Sequence, residues 1–86
     1  MHDISVTIYS LESILYQGKV NAVTSVNEKG KFDILPLHSN FISVIKQFIL
    51  LHEIKGTKKE FKLKEGVLKF NDNHAHVFLG IEGLKD

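Results

Sequence analysis

Apolar and polar positions alternate with period two along most of the chain, which is the signature of half-buried β-strands. Ile4, Val6 and Ile8 share one face, with Ser5, Thr7 and Tyr9 on the other. Val20, Ala22, Thr24 and Val26 alternate with Lys19, Asn21, Val23 and Ser25. Phe61 and Leu63 alternate with Glu60, Lys62 and Lys64, as on a strand with one wet face. Ala75, Val77, Leu79 and Ile81 oppose His74, His76, Phe78 and Gly80. Turn residues separate these runs at Asn27-Glu28-Lys29-Gly30, Lys55-Gly56-Thr57, Glu65-Gly66 and Asn71-Asp72-Asn73. A turn roughly every ten residues predicts an all-β sandwich or barrel. Leu37 to Gln47 could hold a helical turn, but Phe41-Ile42-Ser43-Val44-Ile45 reads better as a buried strand.

Composition supports the strand reading. Ile and Val number sixteen, Phe and Tyr eight, and Ala only two, and branched and aromatic side chains fit a pleated surface. With 86 residues there is room for one thinly cored domain, residues 1–86, ending in a short tail at 82–86. Eleven basic and ten acidic residues leave a net charge of +1, so nothing electrostatic points to nucleic acid or an anionic membrane. All eleven basic residues are lysine, which excludes arginine fingers and bidentate arginine clamps on phosphate. The absence of cysteine excludes disulfides, thiolate metal sites and cysteine nucleophiles. Met1-His2-Asp3-Ile4-Ser5 does not read as a signal peptide. The longest apolar run, Phe48-Ile49-Leu50-Leu51, is far short of the ~20 residues of a membrane span.

Candidate chemistry is sparse. His74-Ala75-His76 puts two imidazoles on one strand face about 6.5–7 Å apart along it. They could be two ligands for zinc, but spacing identifies no third, and a solvated strand face is the simpler reading. Lys58, Lys59, Lys62 and Lys64 read as solvation and edge protection of a strand. There is no nucleophile elbow and no phosphate-cradling glycine loop. No catalytic residue, metal or cofactor is expected.

One segment is more specific. Gly30-Lys31-Phe32-Asp33-Ile34-Leu35-Pro36-Leu37-His38 resembles the signature loop of the epsilon subunit of F-type ATP synthases, typically Gly-acidic-Phe-Gly-Ile-Leu-Pro-Gly-His. Ser10-Leu11-Glu12 with Tyr16-Gln17-Gly18-Lys19-Val20 resembles the family's upstream motif at the same spacing. Glu65-Gly66-Val67-Leu68 and Val77-Phe78-Leu79 match later elements in order, so the likeness runs over nearly all of residues 3–80. Lys31 stands where an acidic residue is common, Asp33 and Leu37 stand for glycines, and Asn40 stands for a proline. Asp33 and Leu37 predict a loop path without positive φ at either position, whereas Gly18 and Gly30 sit where a turn can demand it. The pattern Leu-Pro-x-His-x-Asn-Phe looks closer to the alternative, ion-pumping branch of these ATPases.

The resemblance implies a flattened sandwich of about ten short strands in two antiparallel sheets; the C-terminal helical hairpin of typical members is not in this sequence, as expected of either a fragment or a naturally short subunit. It implies a non-catalytic rotor subunit of the central stalk of a proton- or sodium-translocating ATP synthase. Such a subunit is peripheral, at the cytoplasmic face of the bacterial inner membrane, and meets the membrane only through the c-ring. Carried over by position, Glu28, Lys29, Gly30, Lys31 and Asp33 would face the c-ring. Ser10, His38, Phe41 and Ser43 would lie at the gamma subunit, although plain core packing explains Phe41 equally well. The isolated domain is expected to be monomeric. The alternative is a free-standing β-sandwich binding module unrelated to ATP synthases.

Overall fold

A computed structural model describes residues 2–80, so the expected tail at 82–86 lies outside the described residues. Six strands follow one another: β1 (Ile4–Tyr9), β2 (Ile14–Asn27), β3 (Gly30–Ile34), β4 (Phe41–Glu53), β5 (Lys58–Asn71) and β6 (His74–Leu79). Phe41 to Ile45 opens β4, so the strand reading there holds and the helical one does not. The strands pair in the order β1-β6-β5-β4-β2-β3, and β1 also pairs with β2. Five strands therefore close into a flattened barrel, with β3 added on the outer edge of β2.

Among the described residues, the expected ten short strands in two antiparallel sheets give way to six strands in one sheet, five of which close on themselves. The β1–β6 pairing is parallel, unlike the rest. Strands β2, β4 and β5 are 13 to 14 residues long and run through positions that read as breaks. Glu65-Gly66 is one such position: it lies inside β5. There Lys46 pairs with Glu65 and Gln47 with Leu63, so Lys64 is left out of register and the strand bends. Gly66 is buried, and a Cβ on it would lie 2.8 Å from Leu79 Cδ2 and 3.1 Å from the Phe78 carbonyl oxygen. The glycine marks a close approach, not a turn. Gly18 likewise sits within β2 under the Tyr16 ring and shows no positive φ.

A second bulge changes which residues of β2 face inward. Val20 pairs with Glu53 and Ala22 with His52, leaving Asn21 unpaired with β4. The phase slips by one, so Val20 and Val23 are both buried and Ala22 is only half-buried. Elsewhere the alternation holds. Ile4, Val6, Ile8, Leu63, Ala75, Val77 and Leu79 all join the core, around Phe70, Ile45 and Ile49.

The remaining turn signals are real turns. Gly30 has φ 118° and Gly56 φ 94°, both positive. Asp72 and Asn73, at φ 50° and 62°, close the β5–β6 hairpin with both central residues positive, the twist that suits adjacent antiparallel strands.

Candidate docking surfaces

The β2–β3 hairpin carries Glu28, Lys29, Gly30, Lys31 and Asp33 together at one projecting edge. Asn27 shapes it: its Oδ1 accepts from the Lys29 N–H at 2.9 Å, while its side-chain amide donates to Ser43 Oγ at 3.3 Å. Glu28, Lys29 and Lys31 are exposed. Asp33 is exposed too, but its carboxylate accepts from Thr24 Oγ1 at 2.5 Å. The Thr24 hydroxyl oxygen also lies 2.8 Å from His52 Nε2. Asp33 is thereby held against the sheet rather than presented freely.

The loop after β3 departs from expectation at Leu37. Asp33 is extended as predicted, yet Leu37 adopts φ 68°, in the left-handed region. Cβ strain at such a position costs about 1–2 kcal/mol. Two turns are tied together around it. The Leu37 N–H donates to Asn73 Oδ1 at 2.8 Å, and the Asp72 N–H donates to Asn40 Oδ1 at 3.0 Å. Asn73 also donates its side-chain amide to the Asp3 carbonyl, and its own carbonyl accepts from Ser5 N–H at 3.2 Å. These bonds impose the backbone that Leu37 would not choose alone.

Three of the four expected gamma-facing residues come together and one does not. His38 donates through Nδ1 to the Ser39 carbonyl at 2.7 Å and sets its ring edge-on to Phe41, centroids 5.1 Å apart. Phe41 also meets Phe32 and Phe70 at 6.1 Å each, so it closes one end of the core. Ser43 follows two residues on, half-buried. Phe41, Phe70, Ala75 and Val6 form a single row across four strands. Ser10 lies past the far end of β1, where its hydroxyl accepts from the Ser13 N–H at 3.1 Å and caps the β1–β2 turn.

An exposed apolar row crosses four neighbouring strands. Val44 pairs with Val67, Val67 with Phe78, and Phe78 with Tyr9, straight across β4, β5, β6 and β1. All face outward: Val44 is 56%, Val67 36% and Phe78 46% exposed. Ile14 at 53%, opposite Tyr9, extends the row at one end, and Ile42 at 67% lies two residues along β4 from Val44. Tyr9 stacks on Phe78 with centroids 5.0 Å apart. The row passes beside Ser43 at one end and reaches the neighbour of Ser10 at the other. A cleft of about 600 Å³, lined by Asn27, Glu28, Lys29, Phe41, Ser43 and Val44 among others, joins it to the hairpin. Its sequence signal was present in Phe78, which sits on the polar face of an otherwise clean alternation.

His74 and His76 do lie on one face, and their rings stack with centroids 3.9 Å apart. Thr7 Oγ1 lies 3.0 Å from His74 Nε2 in a shared hydrogen bond. Burial, then His74 and Lys69, lower the pKa of His76 below the ordinary histidine value. Among the described residues, no group of three His, Cys, Asp or Glu side chains gathers where it could hold a metal ion. No helix among them is long and apolar enough to cross a membrane.

A sequence model of the family described as "ATP synthase, Delta/Epsilon chain, beta-sandwich domain" matches residues 3–79. The chain is 30% identical over 76 residues to the ATP synthase epsilon chain of a Nitratiruptor species, covering 87% of this chain and 59% of that one. It is 31% identical over 87 residues to the ATP synthase epsilon chain of Leptospira borgpetersenii, covering 99% of this chain and 67% of the relative. The fold is similar to a chain in the Euglena gracilis mitochondrial ATP synthase OSCP/F1/c-ring structure. That similarity has a TM-score of 0.83 at 17% identity and covers 91% of this chain and 51% of the other. A chain in the Tetrahymena thermophila mitochondrial ATP synthase central stalk/c-ring structure has a TM-score of 0.69 at 14% identity, covering 87% and 61%. The chain thus spans about three-fifths to two-thirds of the length of these curated relatives. A sandwich unrelated to ATP synthases does not survive the family match.

Proposed function

As the chain belongs to the ATP synthase delta/epsilon chain β-sandwich domain family, we propose that it is a central-stalk rotor subunit of a rotary ATP synthase. In this reading it docks on the gamma subunit, meets the c-ring, and helps couple ion translocation to ATP synthesis without catalysing a step itself. Its place is peripheral, at the cytoplasmic face of the bacterial inner membrane. The coupling ion is a proton or sodium.

One observation carries the docking role: the outward row Val44–Val67–Phe78–Tyr9 across four neighbouring strands. A small domain that leaves a contiguous apolar band on its surface is built to have it covered. The band runs through Val44 and Tyr9, the chain neighbours of Ser43 and Ser10, which supports a gamma-facing reading of both although they sit far apart. Phe41 supports the band's edge from within, and His38 packs on Phe41. The Glu28–Asp33 edge, on the other side of the shared cleft, is the c-ring contact in this reading. A closed sheet suits a mechanical part, because each strand of the ring is hydrogen-bonded on both sides and resists shear.

Titration calorimetry of this chain with the gamma subunit of the same organism tests the reading. Saturable one-to-one binding is expected, weakened at least tenfold by Phe78→Asp. A folded chain that does not bind gamma overturns the proposal.

A further inference from the structure

The outward face of β6 carries three flat side chains, His74, His76 and Phe78, and Tyr9 of β1 completes a ladder of four. His74 and His76 stack at 3.9 Å with an interplanar angle of 11°. His76 continues to Phe78 at 6.4 Å and 14°, and to Tyr9 at 6.3 Å and 12°. Phe78 and Tyr9 stack at 5.0 Å and 7°. One end of the ladder is titratable, and the other is the middle of the apolar band.

The surroundings of the histidine pair are one-sided. Across β5, His76 pairs with Lys69 and His74 with Asn71. Across β1, His76 pairs with Thr7 and His74 with Ser5. On β6 itself His76 is flanked by His74 and Phe78, with Tyr9 beside it. The charge placed against the pair is therefore a lysine ammonium, and none of these neighbours is a carboxylate. Neutral imidazoles stack readily, whereas imidazolium cations at this spacing repel one another and Lys69.

We propose that the His74–His76 pair makes the apolar face acid-sensitive: protonation opens the stack, displaces Phe78 and Tyr9, and loosens the partner held there. The ligand of the switch is the proton, and the element it biases is the ladder. Burial, then His74 and Lys69, favour neutral His76 in the folded chain, in agreement with the geometry. A histidine with a folded pKa below its unfolded value of about 6.5 contributes its full stability above that pH. The contribution is lost as the pH falls below about 6.5 towards the lowered folded value. The docking half of the proposal rests on the function argued above; the ring movement does not.

The test follows histidine, Phe78 and Tyr9 ring resonances of the whole chain by NMR from about pH 8 to about pH 5, where histidine titrates. Phe78 and Tyr9 should shift with the His76 midpoint, and His76→Gln should abolish that shift. Melting temperature should fall by several degrees on acidification, and by less in His76→Gln. Phe78 and Tyr9 rings that ignore the titration, or shift equally in His76→Gln, would overturn the switch. Affinity for gamma should drop several-fold at the acidic end, but not for His76→Gln. Rings that move without any change in affinity overturn the docking half. A chain that binds gamma at no pH, with the rings still moving, removes the rotor reading and leaves the switch standing.

Discussion

The backbone N–H of Leu37 donates to the side-chain oxygen of Asn73 across 2.8 Å, joining two turns that are 36 residues apart in the chain. Leu37 holds φ 68° and Asn73 φ 62°, so the bond links two left-handed residues and fixes both turns at once. Asn tolerates this region far better than Leu. The loop between β3 and β4 therefore owes its shape to a partner from another hairpin.

Leu37→Gly should stabilise the domain by about 0.5–1 kcal/mol, since relief of Cβ strain exceeds the added freedom of glycine in the unfolded chain. Asn73→Ala should cost about 2 kcal/mol or more, through lost hydrogen bonds and a strained φ together. Asn73→Gly keeps the backbone and loses only the bonds, so it should fall between. Thermal or urea melts of the three variants give the ranking. A stability for Asn73→Gly equal to the unmodified chain would deny the side chain its role.

Gly66→Ala should destabilise by about 1–3 kcal/mol, because the new methyl meets both a carbonyl oxygen and the Leu79 side chain. Leu79→Ala removes one of the two obstacles while opening a cavity of its own. The double variant should be more stable than the sum of the two single losses. Strict additivity in denaturant melts would show that Leu79 is not what the methyl strikes.

Phe78→Asp should leave the melting temperature close to that of the unmodified chain, because the side chain is outside the core, yet weaken gamma binding by about 2 kcal/mol. Phe41→Ala should instead unfold the domain more readily, as its ring meets His38, Phe32 and Phe70. Lys62→Asp, on the outer side of β5, should change neither. Melts and calorimetry on the same preparations separate the cases. Normal gamma binding by Phe78→Asp would move the interface elsewhere.

Tyr16 donates its hydroxyl proton to Glu53 at 3.2 Å, while Thr57 donates to the other Glu53 oxygen at 3.0 Å. Desolvation, and then Glu53, raise the Tyr16 pKa above its ordinary value. The contribution of the protonated phenol is thus full below about pH 10 and is lost as the pH rises through the raised value. As the pH rises above about 10, melting temperature should drop by more in the unmodified chain than in Tyr16→Phe. Parallel losses would show that Tyr16 does not contribute to that drop.

The all-β class, the core faces of β1 and β6, and the hairpins at Asn27–Gly30 and Asn71–Asn73 are legible in the amino-acid order alone. Each of these is local: alternation records which side of a strand is wet, and Asn, Asp and Gly record positive φ. Its motifs also carried the family. The role of Gly66 emerges only from packing, since a glycine written by a close approach looks the same in sequence as one written by a turn. The bulge at Asn21 was equally hidden, because one unpaired residue shifts the facing of the residues that follow it without changing composition. The docking band was divided among four strands, so Val44, Val67, Phe78 and Tyr9 became one surface only when register set them side by side. Leu37 shows the same limit at a single residue: its own preference opposed the left-handed backbone, and hydrogen bonds from a distant turn prevailed.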